Sequence, residues 1–144
     1  MNGRLSGVKV LIVDDDQDIL ESVDAVLKAE GAETTTAADG NAAVDTAAGG
    51  KFDLVVLDMM LPGRSGFLVL EKIKGNADSP SVIMLTANEG KRHQAYAESL
   101  GVDRYLLKPV PLEKLVVVAT ELVAARASEA EAEGGNGKLR KPKR

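Results

Sequence analysis

Along the chain, short apolar runs alternate with longer stretches of helical periodicity. The run from Val8 to Val13 is followed by Ile19, Leu20, Val23, Val26 and Leu27, which share one face of a helix, with Gly31 as a stop signal. A Thr-rich strand is predicted over Glu33 to Ala37, and after Asp39 a helix puts Ala43, Val44, Ala47 and Ala48 on one face before breaking at Gly49-Gly50. Leu54 to Leu57 is the second strong strand, and a loop containing Gly63 and Gly66 leads to a helix that turns Leu70 and Ile73 inward. Val82 to Leu85 is the third strong strand, and a polar helix ending near Gly101 precedes a short strand from Tyr105 to Leu107. The last helix is expected to start at Pro111, with Leu112, Leu115, Val116, Ala119, Leu122 and Val123 as its apolar stripe.

Strict alternation of strand and helix predicts an α/β fold, a parallel sheet with helices on both faces. The first, third and fourth strands are nearly continuous apolar runs, as strands buried on both sides require. The second and fifth are polar or short and suit sheet edges. A flavodoxin-like, doubly wound (βα)5 sheet of order 2-1-3-4-5 satisfies both, and places a ligand-binding switch point beyond the carboxyl ends of strands one and three. The expected organisation is an N-terminal extension over 1–7, one domain over 8–127, and a flexible tail over 128–144 that is basic at its end.

Composition narrows the classes. The 144 residues are 44% hydrophobic and 28% charged, which is ordinary for a globular chain. There are 0 cysteines, so neither a disulfide framework nor a thiolate metal site is available, and a reducing, cytoplasmic setting is expected. No apolar run is long enough for a membrane span. The net charge of −4 is unevenly spread: the final segment carries five basic and three acidic side chains, and the remainder is acidic. Such a domain does not suit nucleic-acid binding. A DNA contact through the basic tail is the alternative to a simply solvated charge run.

The polar residues that close the strands carry the chemistry. The first strand ends in Asp14-Asp15-Asp16, the third in Asp58, the fourth in Thr86 and the fifth in Lys108-Pro109. Carboxylates brought together there repel one another, and an all-oxygen set without His or Cys points to Mg²⁺, which binds through one or two carboxylates and a substrate phosphate. Asp58, alone at the centre of the sheet, is then the candidate nucleophile toward phosphorus, with Asp14 and Asp15 as the metal-holding pair. Lys108 would neutralise phosphoryl oxygens and Thr86 would donate to one. Each residue also has an ordinary explanation. Asp16 suits a helix N-cap, as Asp14 and Asp15 would if taken alone, Asp58 could open a turn, Thr86 could simply end a strand, and Lys108 could be solvated. Their joint occurrence at four strand ends favours the chemical reading.

The segments Val10 to Asp16, Val55 to Gly63, Val82 to Ala87 and Tyr105 to Pro109 resemble the receiver domain of bacterial response regulators, over roughly residues 8–127. That resemblance implies a stand-alone two-component switch, close in type to the chemotaxis regulators. It implies Asp58 as phosphoacceptor, Asp15 as a direct Mg²⁺ ligand beside Asp14, and the backbone carbonyl of Met60 as a further ligand. Thr86 becomes the switch hydroxyl, Lys108 the phosphate-binding lysine, and Tyr105 an aromatic that turns inward on activation. The Lys108–Pro109 bond is expected to be cis. The implied partner is a sensor histidine kinase or phosphotransfer protein, with output by protein contact through the fourth helix, fifth strand and fifth helix, as a monomer or weak dimer. Such a chain is not an enzyme; it catalyses only its own phosphorylation and dephosphorylation.

Departures from the family pattern are few. Val110 and Pro111 stand where an aromatic and a polar capping residue are common, Arg104 replaces a commoner acid, and Met60 and Asn88 occupy flanking positions that should influence hydrolysis. His93 is expected to be a solvated helix residue and not a phosphocarrier. An aspartyl-phosphate hydrolase of the haloacid-dehalogenase type is disfavoured because its second Asp, two residues after the nucleophile, is replaced here by Met60. A receiver-like module that no longer takes phosphate is disfavoured because the acid pair, acceptor and lysine are all present.

Overall fold

The computed structural model describes residues 3–75, 78–87 and 90–135. In chain order the elements are β1 (Lys9–Val13), α1 (Gln17–Ala29), β2 (Glu33–Ala37), α2 (Gly40–Gly49), β3 (Leu54–Leu57), α3 (Gly66–Lys74), β4 (Ser81–Thr86), α4 (Lys91–Ser99), β5 (Arg104–Leu107) and α5 (Leu112–Gly135). The five strands form one sheet in the order β2-β1-β3-β4-β5, and all four pairings are parallel. The flavodoxin-like order expected from strand polarity is the one observed.

Period-two alternation along the central strands builds two cores. Val10 and Ile12, Leu54 and Val56, and Ile83 and Leu85 face one side, where Leu20, Val23 and Leu27 of α1 and Leu115, Val116 and Ala119 of α5 cover them. Leu11 and Val13, Val55 and Leu57, and Val82 and Met84 face the other, covered by Ala43 of α2, Val69, Leu70 and Ile73 of α3, and Ala97 of α4. Fully burying an aliphatic side chain of this size stabilises by about 2 kcal/mol, so the three inward residues of α1 do far more for it than its helix propensity does.

Polar residues begin the helices. Asp16 accepts from the N–H groups of Asp18 and Ile19, Asp39 from that of Ala42, and Ser65 from that of Leu68. Such caps each stabilise by about 1 kcal/mol. Gly31 and Gly101 end α1 and α4 at φ +93° and +99°, a backbone region that suits glycine.

Several expectations shift in detail. Ala48 is exposed, and Ala42 takes its place among the residues packed on the core. Leu112 is exposed as well; Val118 is buried instead. Pro111 lies just before α5, with its carbonyl accepting from the Leu115 N–H at 3.2 Å. The helix does not stop at residue 127 but runs to Gly135, because the Ala/Glu-rich stretch beyond Arg126 is helix-favouring even though it has no large apolar side chain. The basic end of the tail, residues 136–144, lies outside the described residues. At the other terminus Leu5 is fully buried in the α1/α5 core, and Arg4 pairs with both Glu30 and Glu113, at 3.0 and 2.8 Å. Residues 3–7 therefore pack as part of the domain.

Candidate functional site

The sheet itself positions the acids. The Asp14 N–H donates to the Ala37 carbonyl at 3.2 Å and the Asp58 N–H to the Val13 carbonyl at 3.0 Å, so both residues still belong to the strand ladder as their side chains leave it. On the other side of the switch point the Lys108 N–H donates to the Thr86 carbonyl at 2.9 Å, which ties the ends of β4 and β5 together. The Lys108–Pro109 bond is cis, as the resemblance implied.

Asp14, Asp58 and Thr86 are the buried polar side chains among the described residues. One oxygen from each of Asp14, Asp15 and Asp58 lies within 4.8 Å of the others. The Lys108 ammonium reaches into this group, 2.8 Å from Asp14 Oδ2 and 3.5 Å from Asp58 Oδ2. Asp14 Oδ1 accepts from the Asp16 N–H at 2.9 Å, and Asp58 Oδ1 from the Met60 N–H at 3.4 Å. Asp14 thus serves the turn into α1 and the charge cluster at once.

The electrostatics divide the acceptor from its lysine. Burial pushes the Asp58 carboxyl above the usual aspartate range, and the charge of Asp14 adds to that, against the opposing pull of Lys108 and the Met60 N–H. For Lys108, burial works against the ammonium, but the hydrogen bond to Asp14 and the charges of Asp58 and Asp14 outweigh it and raise its pKa. The lysine is held charged, beside a carboxylate that is destabilised in its charged form.

The donor set fits a hard dication. The three carboxylate oxygens lie within 4.8 Å of one another, near enough for one small cation to draw on them, with waters completing its shell. Carboxylate oxygens without nitrogen or sulfur donors suit Mg²⁺ over a transition metal.

Tyr105 is half-buried on the α3/α4 face, at the sheet edge, and burial raises the pKa of its phenol. His93 is exposed, and its ring stacks on Phe67 at 6.0 Å, with Tyr96 edge-on to the same ring at 4.9 Å. Arg104 pairs with Glu121 at 2.8 Å. Asn88 lies outside the described residues.

Sequence reasoning missed what holds the loop after Asp58. Gly66 packs so closely under that loop that a Cβ on it would overlap the Asp58 carbonyl oxygen and the Met59 Cα, and its N–H donates to the Met59 carbonyl at 2.8 Å. Further along, the Gly40 N–H donates to the Pro62 carbonyl at 3.0 Å and Arg64 Nε to Asn41 Oδ1 at 3.0 Å. The paired glycines at 63 and 66 were the available signal.

A doubly wound sheet whose switch point gathers acids around a lysine defines a receiver-type α/β domain. The sequence profile of the response regulator receiver domain matches residues 10–120. The transcriptional regulatory protein TcrA of Mycobacterium tuberculosis is 39% identical over 113 residues, which is 78% of this chain and 45% of TcrA. TcrX of the same organism, a probable transcriptional regulatory protein, is 38% identical over 110 residues, 76% of this chain and 47% of its own length. The chain thus spans a little under half the length of these relatives. Among solved structures, a CheY-like receiver domain protein from Methanospirillum hungatei superposes with TM-score 0.83 at 30% identity, covering 86% of this chain and 99% of the other. The chain belongs to the response regulator receiver domain family of two-component signalling.

Proposed function

We propose that this chain is a phosphorylation switch that takes a phosphoryl group onto Asp58 from the phosphohistidine of a histidine kinase or phosphotransfer protein. The observation that carries this reading is the Lys108 ammonium, set 2.8 Å from Asp14 and 3.5 Å from Asp58, both of them buried. An Asp58 carboxylate oxygen attacks phosphorus, the P–N bond to the donor imidazole breaks, and the imidazole nitrogen keeps the electron pair and takes up a proton. Lys108 balances charge on the phosphoryl oxygens in flight and afterwards, and the Thr86 hydroxyl donates to one of them. Asp14, Asp15, Asp58 and the Met60 carbonyl would hold Mg²⁺, which supplies charge neutralisation at the transferring group. In this reading the protein acts as a signalling element and turns over no separate substrate.

Output follows from the same event. Thr86 moves toward the new phosphoryl group and Tyr105 follows it inward, altering the face formed by α4, β5 and α5. Leu107 of β5 is 44% exposed and Val117 of α5 39%, so this face already presents apolar side chains of the kind a protein partner covers. Intact mass after incubation with acetyl phosphate and Mg²⁺ tests the reading. One added phosphoryl group, absent without Mg²⁺ and absent in Asp58→Asn, is expected. No gain under any condition would leave a phosphate-independent interaction module.

A further inference from the structure

At the amino ends of the strands, away from Asp58, lies a cavity of about 610 Å³ between the last turns of α2 and α3, the starts of β3 and β4, and the far half of α5. Its size falls in the range of small-molecule sites, and its lining combines an apolar wall with a few charged groups. Val44, Phe52 and Ile73 form that wall, Phe52 being partly buried. Arg126 stands in the lining, half-buried and already braced. One of its terminal nitrogens donates to Asp53 Oδ1 and the other to the Ser79 carbonyl, each at 3.2 Å. A guanidinium carries five N–H donors, so this bracing fixes its plane and leaves donors to spare.

Charge selects the occupant. Arg126, Lys51 and Lys72 line the cavity against Asp53 and Asp78, and Asp53 is occupied by Arg126 and by the Lys9 N–H at 2.9 Å. Lys51 and Lys72 make no ion pair among the described residues. The surplus is cationic, in a domain that is acidic elsewhere. We propose that this cavity is a second ligand site, for a small molecule with a flat apolar body and a single anionic head group. The body lies against Phe52 and Ile73, and the head group takes the free donors of Arg126 with Lys72 beside it. In doubly wound sheets the ligand belongs at the carboxyl ends of the strands, where the acid cluster stands. A molecule at the amino ends is therefore an effector and not the phosphoryl donor.

The test uses 1-naphthoate as probe and 1-naphthalenemethanol as its uncharged match, followed by amide chemical shifts of the full chain. Saturable shifts confined to Phe52, Asp53, Ser79 and their neighbours are expected with naphthoate, and binding at least tenfold weaker with the alcohol. Arg126→Gln should weaken naphthoate by at least tenfold and Lys72→Gln by two- to threefold. Because Arg126 also braces the fold, Ala48→Phe serves as a second variant. Ala48 is an exposed residue of the lining, and bulk there closes the space without entering the core. It should abolish the shifts while the remaining spectrum keeps its dispersion. Shifts scattered over the surface, equal binding of acid and alcohol, or unchanged binding by Ala48→Phe would each overturn the site. Phosphorylation of Asp58 is measured separately and does not enter this result.

Discussion

At the scale of single residues, the cluster of Asp14, Asp58 and Lys108 balances function against stability. Lys108→Met would leave two buried carboxylates without their cation, and should destabilise the fold by about 3 kcal/mol in denaturant unfolding at neutral pH. Asp58→Asn works the other way. It removes a carboxylate whose charged form is disfavoured by burial and by Asp14, while Lys108 keeps its bond to Asp14 at 2.8 Å. It should stabilise by about 1 kcal/mol and relieve part of the loss when combined with Lys108→Met. A pair of additive effects would mean that the two side chains do not share one electrostatic cluster. These three residues could be found in the chain because each closes a predicted strand, and strand ends of a parallel sheet lie together. Gly66 could not. Its approach to the Asp58 carbonyl exists only once the loop has folded over the helix start. Gly66→Ala should cost about 2–3 kcal/mol through the displaced loop. Gly75→Ala is the control, since a Cβ there meets only ordinary contacts of 3.4 Å or more and the change should fall within about 1 kcal/mol of neutral.

Between elements, α1 and β2 are joined by Asp24, which accepts from the Thr34 hydroxyl at 2.5 Å and pairs with Lys28 at 3.1 Å. Burial alone would raise the Asp24 carboxyl, but those two partners outweigh it and hold its pKa below the ordinary 3.8. A depressed folded pKa contributes stability above the unfolded value and loses it as pH falls through the folded one. Asp24→Ala should therefore lower stability by about 1 kcal/mol at pH 7, with the gap to the wild type closing below pH ~4. A gap independent of pH in acid titration of the two proteins would assign the loss to packing. Element types and the sheet order were legible because strand burial and helix period are written locally. Helix phase and ends were less so. Ala48 and Leu112 lie one step off the buried stripe, and the extension of α5 to Gly135 rests on Ala and Glu, whose helix preference says nothing about burial.

For the whole molecule, binding at the switch point should register as global stability. A cation held by Asp14, Asp15 and Asp58 in the folded state alone adds about 2.7 kcal/mol when present at a hundredfold its dissociation constant. Thermal unfolding with and without Mg²⁺ should show that gain, and Asp15→Asn should reduce it sharply. An unchanged midpoint would mean that the acid cluster holds no cation at those concentrations. The N-terminal residues were the part of the architecture least readable in advance, since a lone leucine among polar residues has no period. Yet Leu5 lies in the same buried cluster as Leu115, Val116, Val118 and Ala119. That pairing bears on how the protein is made. The first large side chain of the core to leave the ribosome has to wait, exposed, until the helix more than a hundred residues later emerges to cover it, and the central strands of a parallel sheet wait with it. The core therefore cannot close before α5 has been made, and until then its exposed strands depend on chaperones or speed.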